Sequence, residues 1–273
     1  MLRTLDALRR SSHPGPTFLV TTVAVLLGVG ANLDVWRIVV VGIVILLDQL
    51  SVGWSNDWID AGRDREVGRG DKPVASGEIS ATLVRNAAIL GAALSVLVSI
   101  PLGWQAALGH LLFLVSAWAY NLWLKNTPIS VVPFIVSFGM LPLIVTLSAA
   151  DPAVAAPWAM GAGALLGVAA HFANVLPDLE ADRATGISGL PHRMGTSAPG
   201  LVIAGSLAAA SGLVLFGSPD PLHVAGFAAS LGLAVAVVVL VLERRRTRLL
   251  FQLIMAAAVI DVLLLAFGGS GLS

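Results

Sequence analysis

Apolar runs of about 20 residues, separated by short polar breaks, recur along the chain, and at helical rise that length spans a bilayer core. They predict spanning helices over about 17–33, 37–56, 80–100, 104–123, 128–148, 154–176, 198–217, 221–242 and 247–267. The breaks fall at turn-forming residues: Asn32 and Asp34, Pro101-Leu102-Gly103, Asn126-Thr127-Pro128, Asp151-Pro152, Pro199-Gly200 and Ser218-Pro219-Asp220-Pro221. Only residues 57–79 and 177–197 form long polar connections, and each opens with carboxylates. The pattern is that of an all-α, polytopic bundle of about nine transmembrane helices, one integral-membrane domain over 1–273 in two approximate halves.

Two polar stripes interrupt the apolar pattern in the same way. Asn56, Asp60 and Asp64 stand at i, i+4 and i+8, and Asn174, Asp178 and Asp182 repeat that spacing. On a helix of 3.6 residues per turn each set lines one stripe. Six acids lie between residues 57 and 78 (Asp57, Asp60, Asp64, Glu66, Asp71, Glu78) and three between 178 and 182 (Asp178, Glu180, Asp182). Solvation at a membrane surface accounts for one such stripe. Two copies with one spacing point to a shared site, because carboxylates gathered this closely repel unless cations lie between them. Mg2+ is a hard cation that takes oxygen ligands and in such sites bridges to phosphate oxygens.

Composition agrees with a membrane protein: 57% of the 273 residues are hydrophobic and 12% charged, with a mean hydropathy of +0.89. With the N-terminus inside, every Lys and Arg except Arg37 falls on cytoplasmic segments, as the positive-inside rule asks of an N-in, C-out chain. Both acidic stripes then face the cytoplasm, and the expected location is a bacterial cytoplasmic membrane. Arg3, Arg9, Arg10 and Ser11-Ser12-His13-Pro14 read as a short cytoplasmic leader without a small-residue cleavage site. A formal net charge of zero gives no case for nucleic acid, and the absence of cysteine excludes disulfides, thiolate metal sites and cysteine nucleophiles. Basic residues interleave the acids: Arg63, Arg65, Arg69 and Lys72 after the first stripe, Arg183 and Arg193 after the second, and Lys125 at a turn between them. Together with bridging metal, such donors neutralise a diphosphate leaving group.

The run Asn56-Asp57-Trp58-Ile59-Asp60-Ala61-Gly62-Arg63-Asp64, continuing through Asp71-Lys72-Pro73-Val74-Ala75-Ser76-Gly77-Glu78-Ile79-Ser80, resembles the first signature of the UbiA superfamily of intramembrane prenyltransferases. Asn174-Val175-Leu176-Pro177-Asp178-Leu179-Glu180-Ala181-Asp182, followed by Gly186, Leu190-Pro191 and Gly195, is similar to its second, and Tyr120-Asn121-Leu122-Trp123-Leu124-Lys125 to the segment between. The resemblance implies a helical bundle whose cavity opens toward the cytoplasmic face and sideways into lipid. It implies two Mg2+ ions holding an isoprenyl diphosphate, with Asn56, Asp60, Asp64, Asn174, Asp178 and Asp182, and also Asp57, as metal or metal-shell residues. Arg63, Arg69, Lys72, Lys125 and Arg193 would bind diphosphate oxygens, and Tyr120 would stand near the ionising carbon. Loss of diphosphate leaves an allylic carbocation, to be captured by a lipophilic or aromatic acceptor in a desolvated pocket.

Two departures shape the expectation. Where many members have a Lys and a Thr after the second motif, this chain reads Gly186-Ile187-Ser188-Gly189-Leu190, so His192 or Arg193 would supply the missing contact. Gln49 stands where hydroxybenzoate-prenylating members look to have an Arg, which argues against a benzoate acceptor. Asp48, two turns before Asn56 on the same stripe, is either a proton acceptor or a hydrogen bond between helices. His171, His110 and Asp261 have structural readings as buried polar groups. A membrane terpene cyclase is the alternative on the same scaffold; Gln49 leans toward it and the sparse aromatic content away. A secondary transporter is the alternative of another class, but its acids belong near the bilayer midplane.

Overall fold

The computed structural model describes residues 2–176, 188–194, 198–217, 221–243, 248–267 and 272, and among them every regular element is a helix. In chain order these are α1 (Leu2–Ser11), α2 (Pro14–Gly30), α3 (Val35–Glu66), α4 (Pro73–Ser76), α5 (Ala81–Ser99), α6 (Trp104–Leu122), α7 (Val132–Leu147), α8 (Pro157–Val175), α9 (Leu190–Arg193), α10 (Ala198–Gly217), α11 (Pro221–Leu242) and α12 (Arg248–Ala266). Short 3-10 turns at Ile100–Leu102 and Leu124–Asn126 end α5 and follow α6.

A helix coincides with each apolar run, yet length and composition qualify fewer than nine as spans. Among the described residues five helices are long and apolar enough to cross a membrane, or six if α1 and α2, bent by 64° at their junction, count as one. Val132–Leu147 and the apolar part of α12, Ala256–Ala266, are shorter.

Two boundaries differ from the sequence expectation. The helix expected to end at residue 56 runs unbroken to Glu66, because the i, i+4, i+8 stripe is itself helical and needs no apolar surroundings. Residues 2–11, expected as a leader, form a helix with its own contacts. Its Ala7 and Leu8 pack with Trp54, Ala61, Val74, Ile79 and Val84 in a small apolar cluster apart from the main core.

The long helices close a circuit: α2 on α3, α3 on α6, then α7, α8, α10, α11 and α12, which returns to α2. Helix α5 packs on α3. Phe113, Phe172, Ile45, Ile144, Ile203 and Leu207 are wholly buried inside, whereas Leu90, Leu97 and Leu112 point outward with at least half their surface open. An apolar outer face of this kind suits lipid. Small residues bring α7 and α8 together: a Cβ at Gly163 or Gly167 would stand 2.5 Å from the Phe138 carbonyl oxygen or 2.3 Å from that of Phe134. The first of these glycines lies in the run Gly161-Ala162-Gly163-Ala164 of α8.

Gly167→Val should therefore force α7 and α8 apart and destabilise the bundle by about 1–3 kcal/mol, the usual cost of overpacking. A lowered thermal midpoint of the detergent-solubilised protein is the check.

Candidate active site

The polar end of α3 is shaped by how the helix stops. Gly68 takes a left-handed φ of 73°, its N–H bonds the Arg65 carbonyl at 3.2 Å, and the Arg69 N–H returns to the Asp64 carbonyl at 2.8 Å. This glycine-capped ending reverses the chain. Pro73, pre-set for a helix start, opens α4 directly after Lys72, and Val74 and Ile79 seat the segment on the small apolar cluster. Lys72 is thereby carried back beside α3, with its ammonium 3.6 Å from Asp57 Oδ1.

The acids at this end of α3 are buried. Asp57, Asp60 and Asp64 are 1%, 6% and 5% exposed. Asp60 is the best supported. Its Oδ1 accepts from the Lys125 ammonium, its Oδ2 accepts from Asn56 Nδ2 at 3.2 Å, and Arg63 pairs with it at 3.1 Å. Lys125 comes from the turn after α6, so α3 and α6 are joined across this ion pair. Burial pushes the Lys125 ammonium below the usual lysine range, opposed by Asp60 beside it. Arg63 lies 3.8 Å from Asp64. Arg69 is held in a bidentate pair with Asp71 at 2.9 and 3.0 Å, which keeps Asp71 below its ordinary value.

Two contributors went unnoticed in the sequence. Asn121, on α6, accepts from Asn56 Nδ2 at 3.3 Å and donates to Ser55 Oγ at 2.8 Å and the Val52 carbonyl at 2.9 Å, so it sets the orientation of Asn56. The signal was available: it is the amide directly after Tyr120 in an apolar helix. His13 is the second, with Nε2 3.2 Å from Lys72 Nζ. An ammonium only donates, so Nε2 accepts and the ring is neutral with its proton on Nδ1. Burial, and then the Lys72 charge, push His13 down to about 4.

The remaining expected residues are distributed more widely. Asp48 is wholly buried in the bundle, accepting from Gln49 Nε2 at 3.0 Å and standing 3.5 Å from His110 Nε2, which favours the inter-helix reading over a cavity-facing one. Tyr120 forms an edge-to-face pair with Phe134 (5.0 Å) and another with His171 (5.8 Å). Asn174 is exposed in the last turn of α8; Asp178 and Asp182 lie outside the described residues. The segment after them returns to the first stripe's end of the bundle: the Leu190 N–H donates to Ser130 Oγ at 2.9 Å, and a Cβ on Gly189 would stand 2.6 Å from the Lys125 carbonyl. Arg193, exposed, holds this segment through Nε to the Ser188 carbonyl at 2.7 Å. A cavity of about 640 Å³ is lined, among the described residues, by Arg3, Asp6, Arg10 and Glu78.

Among the described residues no three His, Asp or Glu side chains form a metal-ligand set. The donor chemistry nevertheless suits a hard divalent cation. Both oxygens of Asp57 and Oδ2 of Asp64 are buried without a hydrogen-bond partner, and unpaired buried carboxylate oxygens are costly unless a cation meets them.

The model of the UbiA prenyltransferase family matches residues 17–260, and the chain belongs to that family. The fold is also similar to that of solved structures. A UbiA homologue from Archaeoglobus fulgidus, solved bound to GPP and Mg2+, gives a TM-score of 0.74 at 16% identity, over 96% of this chain and 98% of that one. A UbiA homologue from Aeropyrum pernix K1 gives 0.72 at 18% identity, over 90% and 95%. A digeranylgeranylglyceryl phosphate synthase gives 0.70 at 15% identity, over 98% of each chain. No curated protein matches the chain significantly in sequence.

The neutral state of His13 has a pH consequence. Between pH 6.5 and about 4 the unfolded chain takes up a proton on this ring that the folded chain refuses, so stability is complete above that window and is lost as pH falls through it. Thermal unfolding followed across the window should show the loss, and His13→Gln should flatten it.

Proposed function

We propose that the chain catalyses transfer of an isoprenyl group from an isoprenyl diphosphate to a lipophilic or aromatic acceptor, with the acid-lined end of α3 as the diphosphate site. The carrying observation is convergence: Lys72, Lys125 and Arg63 meet Asp57, Asp60 and Asp64 at one end of an apolar bundle, two of these carboxylates keeping oxygens without a hydrogen-bond partner among the described residues. The family and the fold shared with a homologue that holds GPP and Mg2+ support the same reading.

In this reading Asp57 and Asp64, with Asp60, Asn56, Asn174, Asp178 and Asp182, hold Mg2+, two ions being expected. Bound Mg2+ supplies positive charge to the diphosphate oxygens and makes diphosphate a better leaving group. Lys72, Lys125 and Arg63 would add donors to those oxygens, which gather charge as the bond to carbon lengthens, and Arg69 and Arg193 would join them on leaving Asp71 and the Ser188 carbonyl. The allylic C1–O bond breaks with its electron pair leaving on diphosphate. Tyr120, Phe134 and His171 form an aromatic group beside the α6–α7 turn, and ring faces of this kind stabilise a cation. The acceptor's nucleophilic atom forms the new bond to C1 and gives up its proton to a base. The contacts of Asp48 with Gln49 and His110 support its reading as an inter-helix hydrogen bond rather than as that base. The apolar bundle excludes water that would quench the cation, and the site faces the cytoplasm if the basic segments set the topology.

Diphosphate release from geranyl, farnesyl and geranylgeranyl diphosphates, with Mg2+ and with or without a panel of phenolic and quinol acceptors, tests the reading. Acceptor-dependent release that EDTA abolishes is the expected result. A cyclic hydrocarbon or alcohol formed without acceptor would replace transfer by cyclisation, and no release or EDTA-sensitive binding with any donor would overturn both. Asp60→Ala should lower release at least 100-fold, because it strands Lys125 and Arg63 as well as removing a ligand. Asn121→Ala, which frees Asn56, should weaken apparent Mg2+ affinity about 10-fold or more, as losing an outer partner of a metal ligand does.

A further inference from the structure

The junction of α1 and α2 is built against the site more closely than a connector needs to be. His13 occupies the left-handed region, φ 51° and ψ 66°, at the 64° bend between the two helices. A non-glycine residue held there is uncommon, and such strain concentrates where surrounding structure uses it. Three contacts fix the bend. The Ser12 carbonyl presses on α3 at Gly53, where a Cβ would stand 2.2 Å from its oxygen, one turn before Asn56 and Asp57. The same carbonyl accepts from Thr17 Oγ1 at 2.8 Å, and the Trp54 indole N–H donates to the Leu8 carbonyl at 2.9 Å. On the far side Arg10 pairs with Glu78, just past α4. Helix α1 is thus fastened on one side to the helix that carries the carboxylates and on the other to the segment that carries Lys72.

His13 is the side chain this arrangement delivers to the site. Its Nε2 accepts from Lys72, whose side chain is only 15% exposed and whose ammonium lies 3.6 Å from Oδ1 of Asp57, a carboxylate with no hydrogen-bond partner among the described residues. Without His13 that flexible four-carbon side chain has, among the described residues, Asp57 alone to define it, and a lysine held by one long ion pair has many rotamers to choose among.

We propose that His13 is a positioning residue for the site: by accepting from Lys72 it aims the ammonium at the diphosphate, and the α1–α2 bend seated on Gly53 is the strap that holds it there. The proposal rests on the assignment of Lys72 to diphosphate binding made above. It makes the N-terminal helix a part of the binding site although no residue of α1 itself reaches the carboxylates.

The test uses the full-length protein in detergent and inorganic diphosphate with Mg2+ as the probe, so that neither prenyl length nor acceptor enters. Diphosphate affinity is measured for His13→Leu, His13→Gln, Lys72→Ala and the His13→Leu/Lys72→Ala double variant, with thermal midpoints recorded for each. His13→Leu should weaken binding about 10-fold, the scale of one charge-assisted hydrogen bond. His13→Gln, whose amide oxygen can accept in its place, should recover most of that loss, and the double variant should bind no worse than Lys72→Ala alone. Gly53→Ala, which lifts the bend while leaving both side chains intact, should reproduce the His13→Leu loss. Wild-type affinity in His13→Leu, no recovery in His13→Gln, or fully additive losses in the double variant would overturn the proposal and leave the Lys72 assignment standing. Wild-type affinity in Lys72→Ala would overturn both.

Discussion

Carboxylates inside an apolar bundle have to be met by positive charge, and that constraint organises the end of this molecule where α3 stops. Asp57, Asp60 and Asp64 are nearly sealed from solvent. A buried unpaired charge costs several kcal/mol, and a buried pair contributes net stability only when geometry and further hydrogen bonds are good. Three separate parts of the chain therefore converge on one helix end: Arg63 from the same helix, Lys72 from the reversal after it, and Lys125 from the turn after α6. Asp60 is fully engaged, while Asp57 and Asp64 retain oxygens that nothing among the described residues bonds. A site with two of its three acids only partly satisfied is arranged to accept additional cations along with an anion.

The packing around this cluster fixes where its charged groups stand. The cap at Gly68 turns the chain at a fixed place, the small apolar cluster of Ala7, Ala61, Val74, Ile79 and Val84 seats both the reversal and the N-terminal helix, and Asn121 locks the orientation of Asn56 from α6. None of these residues carries reactive chemistry, yet each sets where a charged one points. Tolerances of about half an ångström matter in such sites.

Much of this was legible in the sequence, and the reasons for the exceptions are physical. Apolar run length marked the helices, and the Asn56, Asp60 and Asp64 spacing marked the end of α3 where buried carboxylates meet Lys and Arg. The α3 boundary was misplaced because hydropathy marks where lipid contact stops, whereas the helix continues as long as backbone and stripe allow, here to Glu66. Helix α1 was read as a leader because ten residues with two adjacent arginines carry no hydropathy signal; tertiary contacts with Trp54 and Glu78 hold it in place. His13 was invisible for a related reason: a left-handed residue at a bend has no sequence periodicity, and its partner is 59 residues away. Asp48 shares the stripe of Asn56, which by spacing suits a proton acceptor or an inter-helix hydrogen bond alike; two turns deeper its neighbours are Gln49 and His110, which favours the second.

The account stands or falls on whether metal and diphosphate assemble on the end of α3. The direct measurement is a structure of the protein with Mn2+ and a non-ionising thio analogue of geranyl diphosphate, located by the anomalous signal of manganese. The prediction is a peak at bonding distance, about 2.0–2.3 Å, from carboxylate oxygens of the Asp60 and Asp64 stripe, with diphosphate oxygens within hydrogen-bond reach of Lys72 or Lys125. Manganese and diphosphate bound elsewhere in the bundle, with the Asp60–Lys125 pair undisturbed, would contradict it.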